Sequence, residues 1–309
     1  IVGQKIVPIE NVGCYVPGGR YPLPSTALMT IIPAKVAGVK KVIVCSPKIN
    51  LATIIAADIA GADKIFSIGG VQAIAAMAYG TESVPKVDKI VGPGNKYVAS
   101  AKKELYGVVG IDMVAGPSEL MILADKSSNP KYIAADLLAQ AEHDPDARVE
   151  LVTNSQEIAN ESLKQIEKQL EKLKTRGIAK KSINKSKIIV VETLSEAVEI
   201  ANKRAPEHLE VQLEDSEEII DNLKNYGSLF IGNYSAEVFG DYCSGPNHTL
   251  PTNSTARYGG GLSVADFLKI LTFQKCEKDK FSDLINIASK LAEIEGLDAH
   301  KKAAEIRRE

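Results

Sequence analysis

The four histidines of the chain are its clearest candidates for chemistry, because each lies beside acidic or polar residues. Gln140 precedes His143 by three positions in a segment whose pattern predicts a helix. Residues three apart share a helix face, so an amide oxygen and an imidazole could approach one metal ion there. A polar last turn of an amphipathic helix would show the same spacing. The spacing alone leaves both interpretations open.

Glu207 and His208 place a carboxylate and an imidazole on one short segment. An imidazole has an ordinary pKa of about 6.5, which is close to neutral pH. Once the surrounding site is desolvated, such a pair is suited to general-base catalysis. We therefore treat the two residues as a candidate pair of proton acceptors.

The segment DYCSGPNH, residues 241–248, brings Asp241, Ser244 and His248 into one loop. Such a set suits metal and ligand contacts, and it equally suits the capping of a turn. Cys243 lies among them, but no spacing supports a role as nucleophile. We expect a structural role for this cysteine.

A GPGN segment ending at Asn95 follows a predicted strand and opens a predicted helix. Backbone amides at such a helix N-terminus can face an anion such as a pyrophosphate. The dinucleotide fingerprint GxGxxG is broken here, because its third glycine is replaced by Tyr97. Three further glycine runs, at residues 18–19, 69–70 and 259–261, are more typical of tight turns than of phosphate cradles.

The elements that must position these residues follow an alternating pattern between residues 40 and 232. Short β-branched runs alternate with longer amphipathic segments, which predicts parallel β-α-β units in two similar modules. Asn50 and Asn129 are the expected N-caps of two helices. Strands are expected at residues 41–45, 64–68, 89–91, 111–114, 120–124, 149–153, 188–191, 209–213 and 228–231. Helices are expected at residues 50–60, 71–79, 95–105, 130–143, 156–174, 194–203 and 216–225.

Beyond Gly232 the composition changes. A loop rich in Gly, Ser, Thr, Asn and Pro spans residues 240–261, and loops of this length are usually functional or linkers. Two helical patterns follow, at residues 263–273 and 281–293. A tail this thin cannot bury its own apolar face, so we expect it to dock on a module or on a second subunit.

Composition excludes several classes of protein. The 309 residues suffice for two domains, and 45% apolar with 25% charged residues is typical of a folded globular chain. A net charge of -2 does not indicate the excess of positive charge that is typical of proteins that bind nucleic acid or an anionic membrane. No apolar run approaches the roughly 20 residues of a membrane span. The four cysteines form no CxxC pair, so we expect free thiols in a reducing cytoplasm.

Seven longer segments, in order and over nearly the whole chain, resemble the histidinol dehydrogenase family. They are YVPGG (15–19), GTESVPKVDKIVGPGN (80–95), VAGPSE (114–119), DLLAQAEH (136–143), APEHLE (205–210), GDYCSGPNHTLPT (240–252) and EGLDAHKKA (295–303). The resemblance implies an α/β fold of two Rossmann-like parallel-sheet modules that lack the GxGxxG fingerprint, plus a C-terminal helical tail. Members usually carry a longer segment before YVPGG, so we expect either a truncated piece or a short member.

The resemblance also implies a zinc-dependent, NAD-linked oxidation of L-histidinol to L-histidine through the aldehyde, the last steps of histidine biosynthesis, in a homodimer. Residues 11–115 would form the NAD-binding module and residues 116–250 the module with the metal and catalytic residues. Residues 251–309 would form a linker and a helical tail docked on the partner subunit.

Site residues follow from the resemblance position by position. The family's zinc ligands, which also hold the substrate, match Gln140, His143, Asp241 and His300 of the partner subunit. The proton acceptors match Glu207 and His208, of which His208 also contacts the substrate. Further substrate contacts match Ser118 and Glu295, and the NAD contacts match Tyr15, Gln72 and Asn95.

Two other classes of protein remain open from the residues alone. A metal-dependent hydrolase could combine zinc with Glu207 as base, and it would not reduce NAD. A two-lobed ligand-binding protein could be built from repeated α/β modules, and it would turn over no amino alcohol.

Overall fold

The chain divides into two units, one of residues 1–7 with 268–309 and one of residues 8–267. The computed structural model describes residues 1–19, 21–277 and 281–308. The strands are Val2–Pro8 (β1), Asn11–Tyr15 (β2), Lys41–Cys45 (β3), Lys64–Phe66 (β4), Lys89–Val91 (β5), Gly110–Ile111 (β6), Glu119–Ala124 (β7), Arg148–Thr153 (β8), Lys187–Val190 (β9), His208–Gln212 (β10), Ser228–Ile231 (β11) and Leu268–Gln274 (β12). The helices are Pro24–Val36 (α1), Leu51–Ile59 (α2), Gly70–Tyr79 (α3), Lys96–Leu105 (α4), Pro130–Ala141 (α5), Gln156–Leu170 (α6), Arg176–Ile183 (α7), Leu194–Arg204 (α8), Glu217–Ile220 (α9), Glu237–Tyr242 (α10), Ser282–Ile294 (α11) and Asp298–Glu305 (α12).

Two five-stranded parallel sheets form the larger unit. The first has the order β4-β3-β2-β5-β6 and the second the order β11-β10-β7-β8-β9. In each sheet the strand that comes first in the chain lies in the centre. The next two strands lie on one side of it and the last two on the other side, so the strand order reverses beside the first strand, as in Rossmann folds. The reversal lies between β2 and β5 in the first sheet and between β7 and β10 in the second. The predicted pair of Rossmann-like modules is therefore confirmed.

Alternate residues of the central strands enter separate apolar layers on the two faces of each sheet. In β3, Val42 and Val44 belong to one layer, and Ile43 and Cys45 belong to the other. All six residues of β7 are buried. Strands covered on both faces have nearly continuous apolar sequences, which is why the local pattern indicated them.

Several elements differ in extent from the sequence-based expectation. The long helix expected at residues 156–174 ends with α6 at Leu170, and a separate helix, α7, which the sequence did not indicate, follows it. The strand expected at 111–114 is only β6. The helix expected at 216–225 is the single turn α9, and α5 ends at Ala141 instead of residue 143. The expected N-caps are confirmed, since Asn50 and Asn129 accept hydrogen bonds from backbone amides of α2 and α5.

The helix predicted at residues 263–273 is wrong. Residues 264–267 form one 3-10 turn, and the strand β12 follows and pairs with β1. The apolar residues at 264, 267, 268 and 271 have helical spacing, but Ile1 and Lys275 exchange two backbone hydrogen bonds of 2.9 and 2.8 Å. A partner strand from the other end of the chain thus decides the conformation, and local periodicity cannot show it.

The smaller unit also contains α11 and α12. Ile285, Ser289 and Ala292 of α11 are buried, whereas several large apolar side chains of the same helix are more than half exposed. The four cysteines are free, as predicted. Among the described residues, no helix is both long and apolar enough to cross a membrane.

A buried ion pair fixes the turn that leads from β5 into α4. Lys102 is 1% exposed, and its Nζ donates to Asp112 Oδ1 and to the carbonyl oxygen of Gly92, the latter at 2.9 Å. Asp112 Oδ2 accepts a hydrogen bond from the Gly92 amide at 2.7 Å. Both polar groups of Gly92 are therefore tied to this pair.

Replacing Lys102 with methionine should lower the free energy of unfolding by about 3–5 kcal/mol, because it leaves the Asp112 charge buried and unpaired. Denaturant titration of the full chain measures the change. Lys103→Met is the matched control, since Lys103 is exposed on the same helix, and it should shift stability by less than about 0.5 kcal/mol. Equal shifts for the two variants would contradict the role given to the pair.

Candidate active site

The amino-terminal edge of the second sheet gathers groups with acid-base chemistry. β7 and β10 are neighbouring strands, so Glu207, which precedes β10, lies beside Glu119, the first residue of β7. The Glu207 carbonyl oxygen is approached closely by Gly227, where a Cβ atom would lie 2.5 Å from it. Only glycine permits that approach, and the Ser228 amide donates to the same oxygen at 2.9 Å, which holds the backbone of Glu207 in place.

The carboxyl group of Glu207 is buried, and its Oε2 accepts a hydrogen bond from the Glu119 amide at 2.8 Å. Burial raises the pKa of Glu207 well above its ordinary value of 4.5, and the charges of Glu119 and Asp241 raise it further. A carboxylate with a raised pKa is a stronger base near neutral pH. Glu207 can therefore take a proton from a weak acid such as water.

His208 is the first residue of β10 and is 4% exposed. Its Nδ1 lies 3.1 Å from the Glu119 carbonyl oxygen and 3.1 Å from Gln140 Nε2. With the ring proton on Nδ1 donated to that carbonyl, Nε2 keeps its lone pair and faces Glu237 Oε1 at 3.7 Å. Burial lowers the pKa of His208 to about 4, below its ordinary value of 6.5. The ring is thus neutral at neutral pH and able to accept a proton.

Glu237 and Asp241 enter the site from α10, a helix that the sequence did not indicate. They are four residues apart and so share one helix face. Ligating atoms of His208, Glu237 and Asp241 all lie within 4.8 Å of one another. The carboxylate oxygens of Glu237 are buried without a hydrogen-bond partner among the described residues. Burial, with Asp241 and Glu210 nearby, raises the pKa of Glu237 to about 10.

Glu237 is a site residue that the sequence did not indicate. The available signal was its spacing of four residues from Asp241 in EVFGD, which on a helix would place two carboxylates together. The Gly, Ser and Pro residues that follow are typical of a loop, and they mask the short helix α10.

Two more histidines border this cluster. His143 follows α5 in a tight turn in which its amide donates to the Gln140 carbonyl oxygen at 3.3 Å. Gln140 and His143 therefore stay on one turn, although the helix itself ends earlier. His248 Nδ1 donates to the backbone oxygen of Asp241 at 3.1 Å. A charge on His143 would lower the pKa of both His208 and His248, so the three imidazoles lie within electrostatic range of one another.

The other residues predicted for substrate or metal lie in two places. Ser118 immediately precedes β7 and is on the same sheet edge as Glu207. Glu295 follows α11 and His300 is on α12, and both are exposed residues of the unit formed by residues 1–7 and 268–309. The predicted ligand set therefore stays a prediction.

Tyr15, Gln72 and Asn95, the predicted NAD contacts, lie at the carboxyl edge of the first sheet. Tyr15 ends β2, Gln72 is in the first turn of α3, and Asn95 caps α4 with its side-chain oxygen. The Tyr15 hydroxyl accepts a hydrogen bond from the Gly70 amide at 3.0 Å. Strand order reverses at this edge between β2 and β5, and open α/β sheets usually bind ligands at such a point.

The chain matches a family model described as histidinol dehydrogenase over residues 1–308. The chain belongs to the histidinol dehydrogenase family. It is 51% identical over 312 residues to histidinol dehydrogenase from Listeria monocytogenes serotype 4b, covering 99% of this chain and 73% of the relative. It is 49% identical to histidinol dehydrogenase from Aquifex aeolicus, covering 100% of this chain and 72% of that one.

Solved structures support the family assignment. The crystal structure of histidinol dehydrogenase from Elizabethkingia anophelis matches with a TM-score of 0.94 and 44% identity, over 99% of this chain and 72% of that chain. An aldehyde dehydrogenase from Physcomitrella patens matches with a TM-score of 0.60 and 13% identity, over 88% of this chain and 70% of that chain. This second match shows likeness of fold alone. The predicted family, a family of oxidoreductases, is confirmed.

Zinc, which the resemblance to histidinol dehydrogenases implies, fits the donors in this site. Zn²⁺ binds imidazole nitrogen and carboxylate oxygen. Glu237 and Asp241 offer carboxylate oxygens, and His143 brings an imidazole within electrostatic range of the cluster. A buried carboxyl group without a hydrogen-bond partner needs a proton or a cation beside it, and Glu237 is such a group. The predicted ligand set and this cluster share Asp241.

Proposed function

We propose that the chain oxidises L-histidinol to L-histidine through L-histidinal with zinc and NAD, as the last steps of histidine biosynthesis in the cytoplasm. The observation that carries the proposal is the buried group of Glu207, His208, Glu237 and Asp241 in a member of the histidinol dehydrogenase family. Family membership indicates the substrate, and the buried group offers the bases that its oxidation needs. Free cysteines fit a reducing compartment.

Zinc would be held by Gln140, His143, Asp241 and His300 of the partner subunit. Glu237 adds a carboxylate beside Asp241 on the same face of α10. When bound, zinc supplies a fixed point of attachment for the imidazole and amine of histidinol. Ser118 and Glu295 would complete the substrate contacts.

Two bases divide the proton transfers. His208 Nε2 accepts the hydroxyl proton as the alcohol is oxidised to the aldehyde, since the neutral ring has its lone pair in the site. Glu207 accepts a proton from the water that adds to the aldehyde, and the resulting hydrate is oxidised to the acid. Burial of both side chains keeps bulk solvent from competing for these protons.

NAD supplies the hydride acceptor for both oxidations. Tyr15, Gln72 and Asn95 would contact it at the carboxyl edge of the first sheet. The N-terminus of α4, where Asn95 Oδ1 accepts from the Tyr97 and Val98 amides, lies at the same edge, and its positive dipole end favours an anion such as a pyrophosphate. A cavity of about 100 Å³ lined in part by Gly18 and Lys48 opens at the same edge.

The apolar face of the smaller unit supports a homodimer. Leu284, Ile287 and Leu291 of α11 are each more than half exposed, which supports burial of this helix face against a second copy of the chain. In that arrangement His300 would complete the zinc site of the other subunit.

Histidinol added to the zinc-loaded chain should yield two NADH per molecule, measured by absorbance, whereas other amino alcohols should yield little. A chelator should abolish the signal and added zinc should restore it. A hydrolase would consume an ester or amide without reducing NAD, and a binding protein would turn over no amino alcohol. Absence of NADH from histidinol in the zinc-loaded protein would rule out the proposed oxidation.

A further inference from the structure

Strand β10, which lies next to the central strand β7, has an unusual polar face. His208, Glu210 and Gln212 alternate with Leu209 and Val211, so the three polar side chains point to one side of the sheet. All five residues are buried. Buried parallel strands normally have apolar residues on both faces, so this polar face needs an explanation beyond packing.

Hydrogen bonds link the polar face of β10 to α5 and α10. Gln212 Nε2 donates to Glu210 Oε2 at 2.8 Å and to Asp136 Oδ2 at 3.0 Å. The other oxygen of Glu210, Oε1, accepts a hydrogen bond from the Glu237 amide at 2.9 Å. Asp136 and Glu210 thus accept from the same NH₂ group, and burial together with the charge of Asp136 raises the pKa of Glu210 to about 8.

The Glu237 amide is the first of α10, a helix of six residues whose own N-cap, Ala236, has no side-chain hydrogen bond to offer. A helix this short is not stable by itself and depends on tertiary contacts. Glu210, on strand β10, accepts from one of the backbone amides that the helix leaves unpaired at its N-terminus. At the other end of α10, a Cβ atom on Gly240 would lie 2.5 Å from the Phe230 ring. The helix is thus fixed at both ends.

We propose that Glu210 is a positioning residue that holds the first turn of α10, so that Glu237 and Asp241 face His208. Gln212 and Asp136 hold the Glu210 carboxyl group in the orientation that this requires. The inference rests on the proposed function only in treating the aligned groups as a catalytic site. It explains why three polar residues occupy the centre of an otherwise apolar module.

Hydrogen exchange of the metal-free protein tests the positioning directly. In Glu210→Leu, the peptide covering residues 237–244 should exchange roughly tenfold faster, the factor that corresponds to one lost hydrogen bond. In Glu210→Gln exchange should stay at the parent rate, because the amide oxygen still accepts from Glu237. The new NH₂ group can donate to Gln212 Oε1, which has no partner in the parent, once the Gln212 amide flips. The value of kcat for histidinol should fall with the leucine variant and recover with glutamine, while KM for NAD stays unchanged.

A core truncation provides the matched control. Leu151→Ala destabilises the same sheet at β8 without touching α10, and should leave exchange of residues 237–244 unchanged. Unchanged exchange in Glu210→Leu, or equal acceleration in Leu151→Ala, would overturn the proposal. If the leucine variant does not fold, Gln212→Leu serves instead and should accelerate exchange by a smaller factor. Faster exchange in a chain that never oxidises histidinol would instead count against the proposed function.

Discussion

His143→Ala should lose its zinc and its oxidation of histidinol together. A neutral imidazole is a preferred zinc ligand, and losing only the group behind a ligand already weakens metal binding by about 10–100-fold. Removing the ligand itself should cost more than roughly 100-fold. Metal analysis after dialysis and NADH formation measure the two losses on the same sample.

His248→Asn is the matched control for His143→Ala. His248 is an imidazole beside the same cluster that is not assigned to the metal, and asparagine can still donate to the Asp241 carbonyl oxygen as the ring does. This variant should therefore keep its zinc. Full zinc occupancy in His143→Ala would remove this residue from the ligand set.

Mixing two inactive variants extends the His143 experiment to the subunit interface. A dimer with one His143→Ala subunit and one His300→Ala subunit keeps one intact site if His300 acts across the interface. Random exchange should then restore about a quarter of the parent activity, because half of the dimers are mixed and each has one of two sites. No recovery after confirmed exchange would place His300 in its own subunit's site or outside any site.

The sequence predicted the strands and helices that are buried in the structure, because burial requires apolar residues at regular spacing within the element itself. β3 and β7 are covered on both faces, so their residues are apolar whatever lies elsewhere in the chain. β12 is different, because its residues are mostly exposed and its conformation depends on pairing with β1. The local spacing of apolar residues cannot predict pairing with a strand from the other end of the chain.

The candidate site was only partly visible in the sequence for a related reason. Glu207 and His208 are adjacent, so their joint chemistry can be inferred from the chain order alone. Glu237 reaches them through α10, whose first amide donates to Glu210 of β10, a contact that no sequence spacing expresses. The strand expected from the sequence starts at residue 209, whereas β10 starts at His208. The expected strand therefore leaves His208 out of the set of alternating polar residues.

Glu207→Gln should slow the oxidation of histidinal by about 10²–10⁴-fold, the usual size of a general-base contribution, and should affect the alcohol step much less. Glutamine keeps the shape of the side chain and an oxygen that can accept from the Glu119 amide, as Glu207 Oε2 does. It cannot take a proton from water at neutral pH. Hydration of the aldehyde therefore loses its base, whereas the alcohol proton still goes to His208.

Stability against pH separates loss of the base from loss of the fold. The folded-state pKa of Glu207 is raised above 4.5, so ionisation of this group as pH increases costs the folded state stability. The neutral glutamine removes that cost. Glu207→Gln should therefore be at least as stable as the parent at neutral pH, and denaturant titration at acid and neutral pH checks the sign.

Single-turnover NADH formation, started separately from histidinol and from histidinal, distinguishes the two bases. His208→Asn is the reciprocal variant and should slow the alcohol step, since it removes the Nε2 acceptor. Neither residue belongs to the proposed ligand set, so both variants should keep their zinc on metal analysis. In the parent, the histidinal step should become faster as pH rises through the raised pKa of Glu207, and in Glu207→Gln that dependence should disappear. Equal slowing of both steps by Glu207→Gln would show that the two residues do not divide the reaction between them.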